Sequence, residues 1–108
     1  MQYQQKDLGY PRAKTDAKIR VTFPCGDVFD VPLQIVADSR DVYYRGEKMD
    51  TVSLIRNGRE HASVLGMWLR NQMRWSDVDK YAVKADVRKE PDYDNDFPDV
   101  EYEIPDGI

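Results

Sequence analysis

Carboxylates near the C-terminal end are the residues of this 108-residue chain best placed to do chemistry. Asp92, Asp94, Asp96 and Glu103 stand at relative positions 1, 3, 5 and 12, the spacing of the calcium ligands in an EF-hand loop. That loop needs glycine at position 6 for its sharp turn, whereas this chain has Phe97 there. The sequence therefore favours an acidic segment that faces solvent or a partner over a specific calcium site.

Other catalytic and metal-binding patterns are weak. Cys25 and His61 are the single cysteine and the single histidine, so they supply only two of the four ligands that a structural zinc site needs. Asp27 lies close to Cys25 and would oppose formation of a thiolate. An acid–base pair would need carboxylates on predicted helix faces to meet, and the candidates are Asp38, Asp41, Asp77 and Asp79. Carboxylates on such faces are typical of a solvated surface, so we expect no enzyme, no cofactor and no metal.

Charge is divided unevenly along the chain. The 20 acidic and 16 basic residues give a net charge of −4, yet the last nineteen residues hold eight carboxylates and neither Lys nor Arg. Residues 1–89 therefore have 12 acidic and 16 basic residues, a net charge of +4. This division indicates either a surface for a basic partner or a tail that folds back onto its own body. A row of arginines could hold the tail or contact phosphate, and its members are Arg56, Arg59, Arg70 and Arg74.

Aromatic residues interleave with the acidic ones in the tail, which a pure solubility tail would not require. Aromatic side chains supply anchor area at an interface, and carboxylates steer a basic partner. The predicted partner-binding residues are Asp92, Asp94, Asp96, Phe97, Asp99, Glu101, Tyr102 and Glu103. Such a strip can imitate the phosphates of a nucleic acid, so we expect a host protein with a basic surface as partner and no direct binding of nucleic acid.

The domain organisation follows from composition. Residues 1–17 are polar and predict a flexible or loosely docked arm, residues 18–89 a single domain, and residues 90–108 an acidic tail. No apolar run approaches the ~18 residues of a membrane span, and no signal segment is evident. We expect a cytoplasmic protein that is a monomer or homodimer.

Alternating apolar residues at 19–23 and 28–31, separated by Pro24–Asp27, predict a β-hairpin. Pro32 then opens a predicted helix over Leu33–Arg45 that stops at Gly46, with Asp38, Arg40 and Asp41 opposite its apolar stripe.

A short helix capped by Asp50 or Thr51, a break near Gly58 and a helix from about Glu60 to Met73 come next. Gly66 in that last helix costs ~1 kcal/mol against alanine but allows a close approach to the sheet. A one-turn helix capped by Ser76 and a third strand over residues 81–87, with Tyr81 and Val83 on its apolar side, complete the pattern. We predict an α+β fold, a small antiparallel sheet covered on one face by two to three helices.

Several of these segments resemble a known group of proteins. The run KIRVTFPCGDVFDVP at residues 18–32, followed by IVADSR at 35–40 and Tyr43-Tyr44, resembles small uncharacterised proteins of tailed bacteriophages and prophages that carry "VTFPDG" and "VPxxVIAxxRAxYY". The later residues 75–78 and 82–83 are similar to the "NWEDVxxHAV" end of those proteins. Cys25 stands where they commonly have Asp, and Tyr81 where they usually have His.

The resemblance implies context and no catalytic residues. It implies a phage or prophage accessory protein that acts in the bacterial cytoplasm. Together with the acidic tail, it predicts a non-enzymatic protein that binds a host protein, such as a nucleic-acid-handling or defence factor, and inhibits or redirects it. The alternative is a virion assembly or structural factor that acts by self-association.

Overall fold

The computed structural model describes residues 13–45, 47–58, 60, 63–86 and 93–103, without the side chains of Asp86 and Asp94. Two strands of alternating apolar residues form the centre of its sheet. Strand β1 (Lys18–Thr22) pairs antiparallel with β2 (Val28–Pro32), and Val21 lies opposite Phe29. Gly26 turns the chain between them with a φ of 97°, a conformation that glycine adopts without strain. The predicted hairpin is confirmed.

The described sheet has four antiparallel strands in the order β3-β2-β1-β4. Strand β3 (Val83–Asp86) lies beside β2, and β4 (Glu101–Glu103) lies beside β1. The α+β prediction is confirmed, but the sequence predicted only three strands because β4 comes from the presumed tail.

The prediction that Tyr81 and Val83 lie on a buried, apolar side of the third strand is wrong. Tyr81 is 42% exposed and Val83 is 58% exposed. Val83 lies opposite Asp30 of β2. The next residue of β2, Val31, is buried together with its partner Ile19, so Asp30 points to the opposite face of the sheet. Val83 therefore shares the uncovered face of the sheet with Asp30, since opposite residues in an antiparallel pair point the same way.

The helices lie against the other face. Helix α1 (Leu33–Tyr44) begins directly after Pro32, as predicted, and Arg45 ends it in the left-handed conformation with a φ of 53°. The predicted stop, Gly46, lies outside the described residues. Helix α2 (Thr51–Arg56) is capped by Asp50, whose carboxylate accepts from the backbone N–H of Val52, so the predicted cap is confirmed.

Helix α3 (Ser63–Gln72) supplies the predicted apolar stripe, and the buried members are Leu65, Trp68 and Leu69. Helix α4 (Trp75–Val78) follows, and here the predicted cap Ser76 is wrong. The buried carboxylate of Asp77 instead accepts the backbone N–H of Arg74 at 2.9 Å, so the N-cap is Arg74 and the helix begins two residues earlier than predicted.

The end of the predicted N-terminal arm is docked. The backbone carbonyl of Ala17 accepts from the N–H of Leu33 at 2.9 Å, and the N–H of Thr15 donates to the Gln34 side chain at 2.8 Å. Residues 13–17 therefore rest on the start of α1, while residues 1–12 lie outside the described part of the chain.

Gly66 gives α3 its close approach to the sheet, as the sequence indicated. A Cβ atom at this position would lie 2.1 Å from ring carbons of Tyr102 in β4. The notch left by the missing side chain therefore receives the Tyr102 ring and fixes the edge strand against α3.

We predict that Gly66→Ala destabilises the protein by about 1–3 kcal/mol, although alanine is the better helix former by ~1 kcal/mol. The Tyr102 ring must move to make room for the methyl group. Urea unfolding measures the effect, and Met67→Ala, which removes an exposed side chain of the same helix, is the control. A stabilised Gly66→Ala variant would contradict the close packing.

Candidate binding surface

The acidic segment is built into the fold over its described part. Helix α5 (Tyr93–Asp96) leads into a 3-10 turn (Phe97–Asp99), and β4 follows after Val100. Pro98 suits the first positions of the turn because its missing N–H has no helical partner there. Tyr102 then lies opposite Val21, so the segment adds a strand to the edge of β1.

The aromatic side chains of this segment point into the protein. Phe97 is 1% exposed, and its ring centroid lies 5.7 Å from that of Trp75 and 6.3 Å from that of Phe23. The Tyr93 hydroxyl donates to the buried carboxylate of Asp27 at 2.7 Å. Phe97 therefore anchors the segment to its own chain, which corrects the prediction that it anchors a partner.

Tyr102, the second predicted anchor, is half-buried in the Gly66 notch. The guanidinium of Arg70 lies 5.7 Å from its ring centroid, and Arg70 Nη2 donates to the carbonyl of Pro98 at 3.3 Å. Arg70 thus holds the segment in cis through a ring and a carbonyl oxygen. The rest of the predicted arginine row behaves differently, since Arg56 donates to the carbonyl of Lys14 and Arg59 lies outside the described residues.

The carboxylates of the segment point outward. Asp99, Glu101 and Glu103 are exposed and Asp96 is half-buried, and we call these four residues the acidic edge. Within the described ranges, Asp99, Glu101 and Glu103 make no salt bridge. Asp92 and the side chain of Asp94, which were also predicted to bind a partner, lie outside the described part of the structure.

Among the described residues, Arg20 of the neighbouring strand compensates the charge of the acidic edge only in part. Glu103 lies opposite Arg20, but Arg20 makes two hydrogen bonds to Asp30, from Nε at 2.9 Å and from Nη2 at 3.1 Å. The hydrogen bond to Asp30 is the main reason that the pKa of Arg20 is raised, and Glu103 adds a smaller effect. The same hydrogen bond lowers the pKa of the Asp30 carboxyl. Arg20 is therefore committed chiefly to Asp30.

Three of the four carboxylates predicted on solvated helix faces are buried. Asp38 and Asp41 are 2% exposed and Asp77 is 3% exposed, whereas Asp79 is exposed. Polar groups donate to two of these side chains: Gln34 Nε2 donates to Asp38 at 2.9 Å, and the backbone N–H of Thr51 donates to Asp41 at 2.9 Å. Arg40, also predicted on the outer side, is 6% exposed.

Nothing in the periodicity of α1 signals the burial of Arg40 and Asp41, because their partner is Thr51 of the neighbouring helix α2. The nearest sequence signal is Asp50-Thr51, whose residue types predict a helix cap and not a partner for Asp41.

A cavity of about 400 Å³ lies at the end of α3, lined by Met73, Arg74, Ser76, Phe97 and Pro98. None of these described lining residues is a carboxylate, so Asp38, Asp41 and Asp77 do not line the cavity. Among the described residues, no three His, Cys, Asp or Glu side chains are grouped to hold a metal ion. The acidic edge is therefore the chemically distinctive surface of the described fold.

Comparison with known protein families, with curated proteins and with solved structures found no match. Within the described residues, no helix is both long enough and apolar enough to cross a membrane.

We predict that Phe97→Ala destabilises the protein by about 3–5 kcal/mol, the usual cost of removing a buried ring. Glu101→Ala, four residues away on the exposed side, should change stability by no more than about 0.5 kcal/mol. Urea unfolding followed by tryptophan fluorescence reports both variants. Equal, small effects would contradict the burial of Phe97.

Proposed function

We propose that this chain is a non-enzymatic binding protein that holds a basic surface of another protein against its acidic edge. The supporting observation is the division of the segment into two faces: aromatic side chains such as Phe97 are buried, and Asp99, Glu101 and Glu103 are exposed. A segment whose aromatic residues already hold it in place presents its carboxylates as part of a folded surface.

Order in the acidic edge favours binding. Glu101 and Glu103 alternate with Tyr102 in β4, so both carboxylates leave the same face of the strand, about 7 Å apart along it. A partner with lysine or arginine side chains at a similar spacing gains charge complementarity, which raises the rate of association and selects against acidic partners. Because the strand is already paired with β1, little backbone entropy is lost when the partner binds.

The same charges favour one kind of partner. A basic groove that accepts the phosphates of a nucleic acid also accepts a row of carboxylates, so a nucleic-acid-handling or defence protein of the host is the preferred target. The resemblance of residues 18–87 to phage and prophage proteins supports a host protein as the partner. Occupation of its groove would inhibit the target or redirect it.

A second candidate function is assembly by self-association in a phage particle. The exposed side chain of Val83, on the edge strand at the opposite side of the sheet, favours it, because an exposed apolar edge strand is prone to pair with another chain. Sedimentation separates the two functions: an assembly factor forms large oligomers, and an inhibitor remains a monomer or dimer.

We predict that a triple variant of the acidic edge, Asp99→Asn, Glu101→Gln and Glu103→Gln, loses about tenfold in affinity for the target. Each exposed charge pair contributes up to about 0.5–1 kcal/mol, and three are removed together. A bacterial lysate is passed over immobilised wild-type protein and the variant, captured proteins are identified by mass spectrometry, and purified candidates are titrated at two salt concentrations.

The matched control removes three exposed carboxylates elsewhere, with Asp16→Asn, Glu47→Gln and Asp79→Asn. It has the same net charge as the first variant, so non-specific charge effects are equal in the two. Loss of one basic protein from the acidic-edge variant alone supports the proposal. Equal capture by both variants, or capture of only this chain itself, contradicts it.

A further inference from the structure

Three carboxyl groups lie where α1 packs against the start of α2, a region that we call the corner. Asp38 and Asp41 belong to α1, and Asp50 caps α2. Asp38 and Asp41 are each 2% exposed, and Asp50 is 7% exposed. Buried carboxylates repel one another strongly because little water screens them.

Asp41 is the least well satisfied of the three. Its Oδ1 atom accepts from the Thr51 backbone N–H at 2.9 Å and from the Thr51 hydroxyl at 2.5 Å. Its Oδ2 atom is buried and has no hydrogen-bond partner in the described structure. A buried carboxylate oxygen without a donor costs free energy when the group is ionised, and much less when it carries a proton.

The nearby cation does not compensate Asp41 directly. Arg40 Nη1 donates to the Thr51 hydroxyl at 2.9 Å, and Arg40 Nη2 forms a salt bridge with Glu60 at 2.8 Å. Thr51 therefore lies between the guanidinium and Asp41, and Glu60 takes up the charge of Arg40.

Other described charged residues near the corner face solvent or bind other groups, and Arg56 of α2 donates to the carbonyl of Lys14. Lys14 and Asp16, in the segment above it, are exposed. On the other elements that contact α1, Arg70 of α3 lies against Tyr102, and Arg20 of β1 is bound to Asp30.

Burial is the main cause of a raised pKa for Asp41, and the negative charges of Asp50 and Asp38 add to it. The two hydrogen bonds from Thr51 act in the opposite direction but are outweighed. The folded corner thus binds the Asp41 proton more tightly than water-exposed surroundings would.

We propose that Asp41 is a protonation switch: its neutral acid fits between Asp38 and Asp50, and release of the proton to water loosens the corner between α1 and α2.

The segment at residues 13–17 is coupled to this switch. The backbone N–H of Ala13 donates to Asp50, and the N–H of Thr15 donates to Gln34, whose amide in turn donates to Asp38 at 2.9 Å. Two of the contacts of the segment therefore lead to the carboxyl groups whose charges act on Asp41, directly to Asp50 and through Gln34 to Asp38. Loosening of the corner should reach residues 13–17 and leave the aromatic cluster around Phe97 unchanged.

The sign of the pH dependence follows from the direction of the shift. A raised pKa in the folded state means that the folded state binds the proton more tightly than the unfolded state. The stabilisation from Asp41 is complete below the ordinary pKa of 3.8 and is lost as the pH rises through the higher pKa of the folded state.

Hydrogen exchange of individual amides tests the switch in the full chain. The amides of Ala13, Thr15, Thr51 and Val52 report the corner, and rates are corrected for the intrinsic pH dependence to give opening equilibria between about pH 4 and about pH 7. In the wild-type protein we expect a loss of protection at these amides that grows as the pH rises. In Asp41→Asn, which has no proton to lose, protection should not change with pH, and exposed Asp79→Asn should retain the wild-type profile.

A second variant keeps the test decisive if Asp41→Asn does not fold. Asp38→Asn retains an oxygen that can accept from Gln34 but removes one negative charge, so the loss of protection should be smaller and finish at lower pH. The side-chain carboxyl resonance of Asp41 supplies a direct readout by NMR and should titrate above 3.8 in the wild-type protein. Titration at or below that value, or the same pH profile in the wild type and Asp41→Asn, overturns the proposal.

Discussion

The packing of the C-terminal aromatic residues against the hairpin is the interaction on which the rest of the structure depends. The Phe23 ring lies 4.6 Å from Tyr93 and 5.2 Å from Trp75, measured between centroids, and Phe97 closes the cluster. The hairpin, α4 and the acidic segment are thereby joined in one core. The chain cannot display its C-terminal carboxylates in the observed arrangement unless this cluster forms.

That constraint gives the acidic edge its geometry. Strand β4 has a period of two residues, so burial of Tyr102 in the Gly66 notch directs Glu101 and Glu103 to the opposite face. The fold therefore places the acidic residues of the sequence on one surface. Arg70 holds the segment through the Pro98 carbonyl and the Tyr102 ring and does not bind its described carboxylates. A flexible tail would offer the same charges without a fixed spacing.

Local patterns predicted the parts of the fold that local chemistry determines. The hairpin followed from alternation and from Gly26, α1 from Pro32 and its apolar period, and α2 from the Asp50 cap. Strand β4 was missed because its three residues, Glu-Tyr-Glu, gain their pairing from β1 and their burial from Gly66, both distant in sequence.

The buried carboxylates were missed for the same reason. Asp41 is enclosed by Thr51 from a different helix, and no spacing within α1 encodes that contact. Of the candidate site, the exposed acids were predicted from composition. The burial of Phe97 could not be predicted in this way, because an aromatic residue among acidic residues gives the same sequence pattern whether it packs on its own chain or on a partner.

The acidic segment is part of the folded core and displays its carboxylates from there. Nuclear Overhauser effects in the full chain test this packing. We expect strong effects between the ring protons of Phe97 and those of Phe23 and Trp75, together with contacts from Tyr102 to Gly66. Sharp resonances near random-coil positions for residues 93–103, without those contacts, would contradict it.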